Sequence, residues 1–384
     1  MLPRAALISV AVKGTEIARR RLNNLHLSQA SLTRPADVVR RLGAVQSQDY
    51  GPGKWSIAHR STGLTDRALD QAFNAGEFLR THVLRPTWHF VAPEDIRAWL
   101  AVTGPRVRQR VARRFEELAL DAATLRKSDT LLAKTLEREG ALTRAAIRDV
   151  FEKKGFDASG QRLPWLLTHS ELEATICSGE LEGKQQTYAL LDSRVPSAKE
   201  VDVEAATIEL VRRYYTSHGP ASVNDFAWWS HLRVADIKAA LAELGSELAS
   251  KEIDGITYWY VPNNLPPLAR SPVVHLLQAY DEYIVGYRET RVGRDPSGID
   301  RKAWRPSIPT GVVLVNGALA GNWKRTIVKE TIEIELYLYS SLTEKEERAL
   351  QKTAEAYGRF ADRAVIPAPT RAANKVTGTA RSSE

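Results

Sequence analysis

A single cysteine, Cys177, stands in a chain of 384 residues, so no internal disulfide can form and no cysteine cluster can hold zinc. A reducing compartment, the cytoplasm, is the expected home. Cys177 lies in EATICSG between apolar positions and reads as a small buried hydrophobe rather than a nucleophile. No apolar run approaches the roughly 20 residues that cross a bilayer, so no membrane partner is expected. The opening MLPRAALISVAVKGTEIARRR meets charge at once and shows no clear cleavage site, which argues against a signal peptide. A Walker loop, a dinucleotide fingerprint, an HExxH pair and a Gly-x-Ser-x-Gly elbow are all missing. The eight histidines are scattered without metal-ligand spacing. These absences remove most common hydrolase, kinase and dehydrogenase readings and leave no metal or cofactor to expect.

What is present is an ordinary globular balance, 43% hydrophobic and 26% charged, in a chain long enough for two or three domains. Arginine outnumbers lysine, the net charge is +8 and the pI is about 9.5. A basic balance of that size favours polyanion partners, of which nucleic acid is the usual one.

Hydrophobic spacing predicts helices over TEIARRRLNNLHL, over RPADVVRRLGAV behind its proline, and over LTDRALDQAFNAGE capped by Thr65. Two β-leaning runs follow, FLRTHVL and TWHFVA, joined through Arg85-Pro86. Three helices and then a two-stranded ribbon is the plan of a winged helix. The plan recurs twice. REGALTRAAIRDVFEKKG and GQRLPWLLTHSELEAT precede ICSGELEGKQQTYALL, and three helices over 203–244 precede LASKEIDGITYWYV, with Asp254-Gly255 at the hairpin tip. A long helix around 93–119 bridges the first two units. After PNNLPPLARSP the chain turns β-branched and aromatic with NG turns, and TEKEERALQKTAEAYGRFAD closes it as a helix capped by Thr343. The expected architecture is α+β. Winged-helix (helix-turn-helix) units occupy 1–120, 121–200 and 201–264, a small β-barrel with its closing helix occupies 265–365, and a disordered tail occupies 366–384.

A helix-turn-helix unit reads DNA by laying a helix in the major groove. In the third unit that helix is RVADIKAALAEL, mostly Ala, Leu and acid, with Arg233 and Lys238 its only bases. GQRLPWLLTHSELEA is equally unsuited, so a phosphate-tracking channel fits the basic groups better than a base-reading helix. GPRVRQRVARRF (104–115) carries arginines on more than one helical face. RETRVGRDPSGIDRKAWRPS (288–307) is a basic loop with Arg294, and with Trp304 between Lys302 and Arg305. An aromatic flanked by cations suits stacking on, or wedging beside, a base.

The stretch AVQSQDYGPGKW sets Gln46 and Gln48 two apart beside Asp49. On extended backbone both side chains point the same way, whereas in a helix they diverge by about 200°. Gly51-Pro52-Gly53 allows a tight turn and close approach of another chain. Taken alone, the glutamines read more readily as capping a helix end than as a catalytic pair.

Four stretches, RLGAVQSQDYGPGKWSIAHRS, LRPTWHFVAPEDIRAWL, LLQAYDEYIVGYRETR and GVVLVNGALAGNW, together resemble the winged-helix DNA glycosylases of the AlkZ type, the azinomycin-resistance glycosylases and their relatives. The resemblance runs from about residue 15 to 360. Gln46-Ser47-Gln48 fits that family's Gln-x-Gln signature, which implies Gln46 and Gln48 as the catalytic pair. It also implies excision of bulky N7-alkylguanine or N3-alkyladenine lesions from double-stranded DNA held in a concave channel, interstrand crosslinks and antibiotic self-resistance falling within the family's range. Lys54, Trp55, Arg85 and His89 within the matched stretches, with Arg294, Lys302, Trp304 and Arg305, are the expected DNA contacts of a monomer. Asp49 stands as a third catalytic candidate or as a cap.

Chemistry fits an amide pair to this task. Alkylation at N7 places positive charge on guanine, so the base already leaves well and the bond breaks through an oxocarbenium-like sugar. A positioned water and neutral dipoles near the developing cation then help more than a strong base. Without a lysine at the signature, a Schiff-base lyase step is not expected. The competing readings are a non-catalytic DNA-binding protein, either regulator or lesion shield, and a protein-interaction scaffold.

Overall fold

The structure, a computed structural model, describes residues 16–195, 200–262, 272–290 and 310–372. The chain is a mixture of helices and sheets that groups into two compact units. One comprises residues 24–263 with 281–290, and the other residues 1–23, 264–280 and 291–384.

The first of these units opens with helix α1 (Pro35–Leu42), which starts on a proline and buries Val38, Val39 and Leu42. Gly43, at φ +80°, ends it, a conformation that glycine adopts without strain. A short strand β1 (Val45–Gln46), helix α2 (Tyr50–Ala58) and helix α3 (Asp66–Asn74) follow, the last capped by Thr65 accepting from the Ala68 N–H. Strands β2 (Leu79–His82) and β3 (Trp88–Val91) then complete an antiparallel sheet of order β1-β3-β2. Both runs read as strands in the sequence form them, while β1, two residues long, is too short for a periodic signal. Gly51-Pro52-Gly53, expected as a turn, lies instead inside the first turns of α2. A proline there has no intrahelical partner to lose for its missing N–H. Gly53 does serve close approach: a Cβ on it would lie 3.1 Å from the Ser47 Cα and 3.0 Å from the Phe90 ring.

Helix α4 (Pro93–Glu117) runs on for 25 residues. Its first half, through Ile96, Trp99 and Leu100, joins a core that includes Tyr214, Tyr215, Phe226 and Trp229. Its second half, through Val111 and Phe115, joins a separate core with Leu132, Ile147, Phe151 and Leu166. That second core is built by α5 (Ala122–Glu139), α6 (Arg144–Lys153), α7 (Arg162–Leu172) and a sheet of order β4-β6-β5 from β4 (Leu142–Thr143), β5 (Ile176–Ser178) and β6 (Thr187–Leu190). After a single turn α8 (Leu191–Arg194) come α9 (Val203–His218), α10 (Val223–Ser230) and α11 (Val234–Leu244), and then the hairpin β7 (Ala249–Ile253) and β8 (Ile256–Tyr260). Asp254 and Gly255 both take positive φ at its tip, as an Asp-Gly pair does in a two-residue hairpin loop. The segment 281–290 returns to this unit with the short helix α12 (Glu282–Val285).

The second unit carries a five-stranded sheet ordered β13-β12-β11-β10-β9, from β9 (Val274–Gln278), β10 (Gly311–Val315), β11 (Ala318–Val328), β12 (Thr331–Leu338) and β13 (Ala364–Ala372). Its pairs are antiparallel except β12 with β13, which helix α13 (Glu344–Ala361) makes parallel by crossing between them. Thr343 and Glu346 form a reciprocal capping box at the start of α13. The pairings leave β9 and β13 at the two ends of the order. Residues 366–372, expected in the tail, belong to β13. The prolines of IPAPT argue against an interior strand, and an edge strand removes that objection.

Among the described residues no helix is long and apolar enough to cross a membrane, and no group of three or more His, Cys, Asp or Glu side chains could hold a metal ion. Cys177 is buried, and burial pushes its thiol up to about 12.

Candidate active site

Leaving α1 at Gly43, the chain runs extended through β1 and does not become helical again until Tyr50. Gln46 pairs with His89 across the sheet, and the Ser47 N–H donates to the Trp88 carbonyl at 2.8 Å. Gln46 is only 5% exposed, Ser47 is fully buried and Gln48 is half-buried. Arg80 of β2 fastens the outer end of this stretch. Its guanidinium donates to the Ser47 carbonyl at 2.9 and 3.1 Å and to the Gln48 carbonyl at 3.2 Å, while covering the Trp88 ring at 4.4 Å. The Gln48 side-chain oxygen accepts a long bond, 3.3 Å, from the Trp88 N–H. Asp49 occupies the cap position of α2, exposed, and makes no side-chain capping bond.

The Gln46 amide is held from beneath. Arg85, in the connection from β2 to β3, donates from Nη2 to the Gln46 Oε1 at 2.8 Å and from Nη1 to the Trp229 carbonyl at 3.0 Å. A guanidinium only donates, so the carbonyl end of Gln46 must face it. Arg85 also meets His89 Nε2 at 3.1 Å, and His89 Nδ1 lies 2.9 Å from the Thr87 carbonyl. These two partners fix the tautomer: Nδ1 carries the proton and Nε2 accepts. Burial, followed by the Arg85 charge, holds His89 well below its ordinary pKa and so neutral.

Two acidic residues complete the support. Glu282 accepts from the Gln46 N–H at 2.9 Å, from Trp229 Nε1 at 2.8 Å and from His218 Nε2 at 3.3 Å. Burial alone would raise this carboxyl, but the His218 hydrogen bond, the nearby charges and the Gln46 amide outweigh it and hold it below the usual carboxylate range. Asp281 takes both Nη atoms of Arg60, at 2.7 and 2.8 Å, and the Ser56 hydroxyl at 2.9 Å, which ties α2 to the same segment. At its far end that segment is gripped by Asp225, whose Oδ1 accepts from the N–H groups of Arg288, Glu289 and Thr290. Periodicity could not find Asp281 and Glu282. The available signal was an adjacent acid pair in an otherwise apolar AYDEYIV.

The expected DNA contacts divide. Lys54 and Trp55 are each 3% exposed, because the last six residues of α2 all face inward. The Lys54 ammonium is taken by Asp70 at 2.6 Å and Asp66 at 2.9 Å, so it is not offered to a phosphate. Arg85 and His89 are buried as well and serve the Gln46 amide. Expected as surface contacts, all four are instead buried, and the polar atoms of Lys54, Arg85 and His89 already hold partners within the protein. Arg294, Lys302, Trp304 and Arg305 lie outside the described residues. His231, after Trp228 and Trp229 on the chain, is lowered to about 4 by burial and then by Arg85, Arg110 and Arg106, and Arg110 is exposed.

Gln46 is thus buried and held through Arg85 and Glu282, and Gln48 is the amide that solvent reaches. The pair can orient a water and present dipoles, and it has no means of exchanging a proton near neutral pH.

A family model described as DNA glycosylase AlkZ-like matches residues 39–360. The structure of the Streptomyces sahachiroi DNA glycosylase AlkZ is similar in fold at a TM-score of 0.75, covering 94% of this chain and 99% of that one at 18% sequence identity. No curated protein sequence matches. With the family model spanning most of its length, the chain belongs to the AlkZ-like DNA glycosylase family.

Proposed function

We propose that this glycosylase hydrolyses the N-glycosidic bond of cationic N7-alkylguanine and N3-alkyladenine in duplex DNA, with Gln46 and Gln48 as the catalytic pair and no cofactor. The observation that carries the reading is the pair itself: two amides two residues apart ahead of α2, one held from beneath by buried charged groups and one within reach of solvent. An alkylated purine departs neutral and passes its positive charge to the sugar. Gln48 accepts a hydrogen bond from the attacking water, and the Gln46 amide adds its dipole beside the forming cation. Preorganised dipoles of this kind stabilise charge where it develops. Exposed Asp49 adds negative field beside Gln48. The product is an abasic site with the strand intact, since no lysine stands at the signature to form a Schiff base.

The finer architecture belongs to the same proposal. The three helix-and-sheet blocks at 1–120, 121–200 and 201–264 are winged helices, and the β-rich region at 265–365 is a small barrel. The arginines of α4 between 104 and 115 meet phosphates, Arg294, Lys302, Trp304 and Arg305 are proposed as further DNA contacts, and bulky adducts and crosslinks are met with limited flipping. The enzyme acts as a cytoplasmic monomer in repair or in self-resistance to DNA-alkylating natural products.

Incubation with an N7-methylguanine duplex, followed by alkaline strand cleavage, tests this directly. Loss of either amide is expected to slow excision by roughly 10²–10³-fold. The double variant Gln46→Ala/Gln48→Ala is expected to keep duplex affinity and abolish release. Affinity that falls in step with excision would remove the catalytic role. Retention of damaged duplex by the wild type, with no abasic product, would favour a lesion shield instead.

A further inference from the structure

Arg85 and Glu282 carry opposite charges, both are buried, and each bonds the same two residues. Arg85 takes the Gln46 side-chain oxygen at 2.8 Å and the Trp229 carbonyl at 3.0 Å. Glu282 takes the Gln46 backbone N–H at 2.9 Å and the Trp229 indole N–H at 2.8 Å. No direct ion pair joins the two charges, so they bracket Gln46 rather than neutralise each other by contact. Burying both is costly, and a hydrophobic pair of similar volume would cost less.

From this bracket we infer that Arg85 and Glu282 are positioning residues: together they fix the Gln46 amide, and Glu282 cancels the field of Arg85 where the sugar becomes cationic. The inference rests on the glycosylase reading. Fixing the plane of the Gln46 amide needs a strong donor on its oxygen, and a guanidinium supplies one at fixed geometry. Its charge by itself opposes the forming oxocarbenium. A carboxylate bonded to the backbone N–H of the same glutamine offsets that opposition while keeping the donor. His218 fits the scheme, because burial lowers its pKa and it supports Glu282 without adding charge.

The test measures single-turnover excision of N7-methylguanine and duplex affinity for the wild type, Glu282→Gln, Arg85→Met and the double variant. Glu282→Gln is expected to slow excision roughly 30-fold with affinity within about twofold, as an uncompensated charge near the reacting centre requires. Arg85→Met/Glu282→Gln is expected to excise at least about fivefold faster than Glu282→Gln, since it removes the stranded guanidinium. A merely structural pair gives the reverse order, with the double variant the slowest. A folded Glu282→Gln enzyme as fast as the wild type overturns the inference. So does a double variant no faster than Glu282→Gln. Should Glu282→Gln fail to fold, the comparison moves to the Arg85→Met background. There Glu282→Gln is expected to change the rate by less than about threefold, and a further loss beyond about tenfold overturns the inference. A wild type that releases no base overturns the glycosylase reading itself, and the inference falls with it.

Discussion

Replacing Asp281 by Asn strands the Arg60 guanidinium in the interior. Arg60 and Asp281 are each fully buried, and the pair is bidentate at 2.7 and 2.8 Å. The carboxylate also accepts from Ser56 and from the Tyr283 N–H, four donors on two oxygens. An amide can accept at one end only and turns its own N–H groups toward donors at the other. Breaking a buried ion pair by removing one partner costs about 3–5 kcal/mol, and a domain holds only about 5–15 kcal/mol in all. Asp281→Asn is therefore expected to remove roughly a fifth or more of the stability of the unit that carries the glutamines. Urea unfolding followed by tryptophan fluorescence reads this unit selectively, because only Trp304 and Trp323 of the nine tryptophans lie in the other. A loss below about 1 kcal/mol would refute the reasoning, since it would mean that water or relaxation already serves Arg60.

Gly53→Ala places a methyl 3.1 Å from Ser47 and 3.0 Å from the Phe90 ring, so the stretch carrying both glutamines has to shift. The expected cost is about 1–3 kcal/mol, with a larger proportional loss of excision than of stability, read by parallel unfolding and single-turnover assays. Stability is also expected to fall as pH drops below about 6.5. Burial lowers the pKa of His89, His218 and His231, so in acid the unfolded chain binds protons that the folded one refuses. Fully buried His89 alone contributes about 1.4 kcal/mol per pH unit below that point. Asp95, raised from 3.8 to about 6 by burial, opposes this within that window with a single proton. Urea midpoints at pH 7 and 5.5 check the slope, which His89→Gln is expected to flatten.

Local pattern carried the sequence reading a long way. The apolar spacing of α1, the Thr65 and Thr343 caps, the FLRTHVL and TWHFVA strands and the Asp254-Gly255 tip are settled by residues within a few positions of one another. Lys54 and Arg85 misled for a physical reason. A cation in a basic chain reads as a phosphate ligand until its carboxylate or carbonyl partner is located, and those partners are distant in the sequence.

Sequence alone determined the elements, the basic character and the amide pair, since each follows from short-range sterics, capping and charge count. Tertiary structure decided that Gln46 is buried and braced while Gln48 meets solvent. It also brought Glu282 to Gln46 across 236 residues of chain and set Gly53 against Ser47. Such contacts depend on which faces pack together, and a buried charge reveals its purpose only through the partner that makes its burial tolerable.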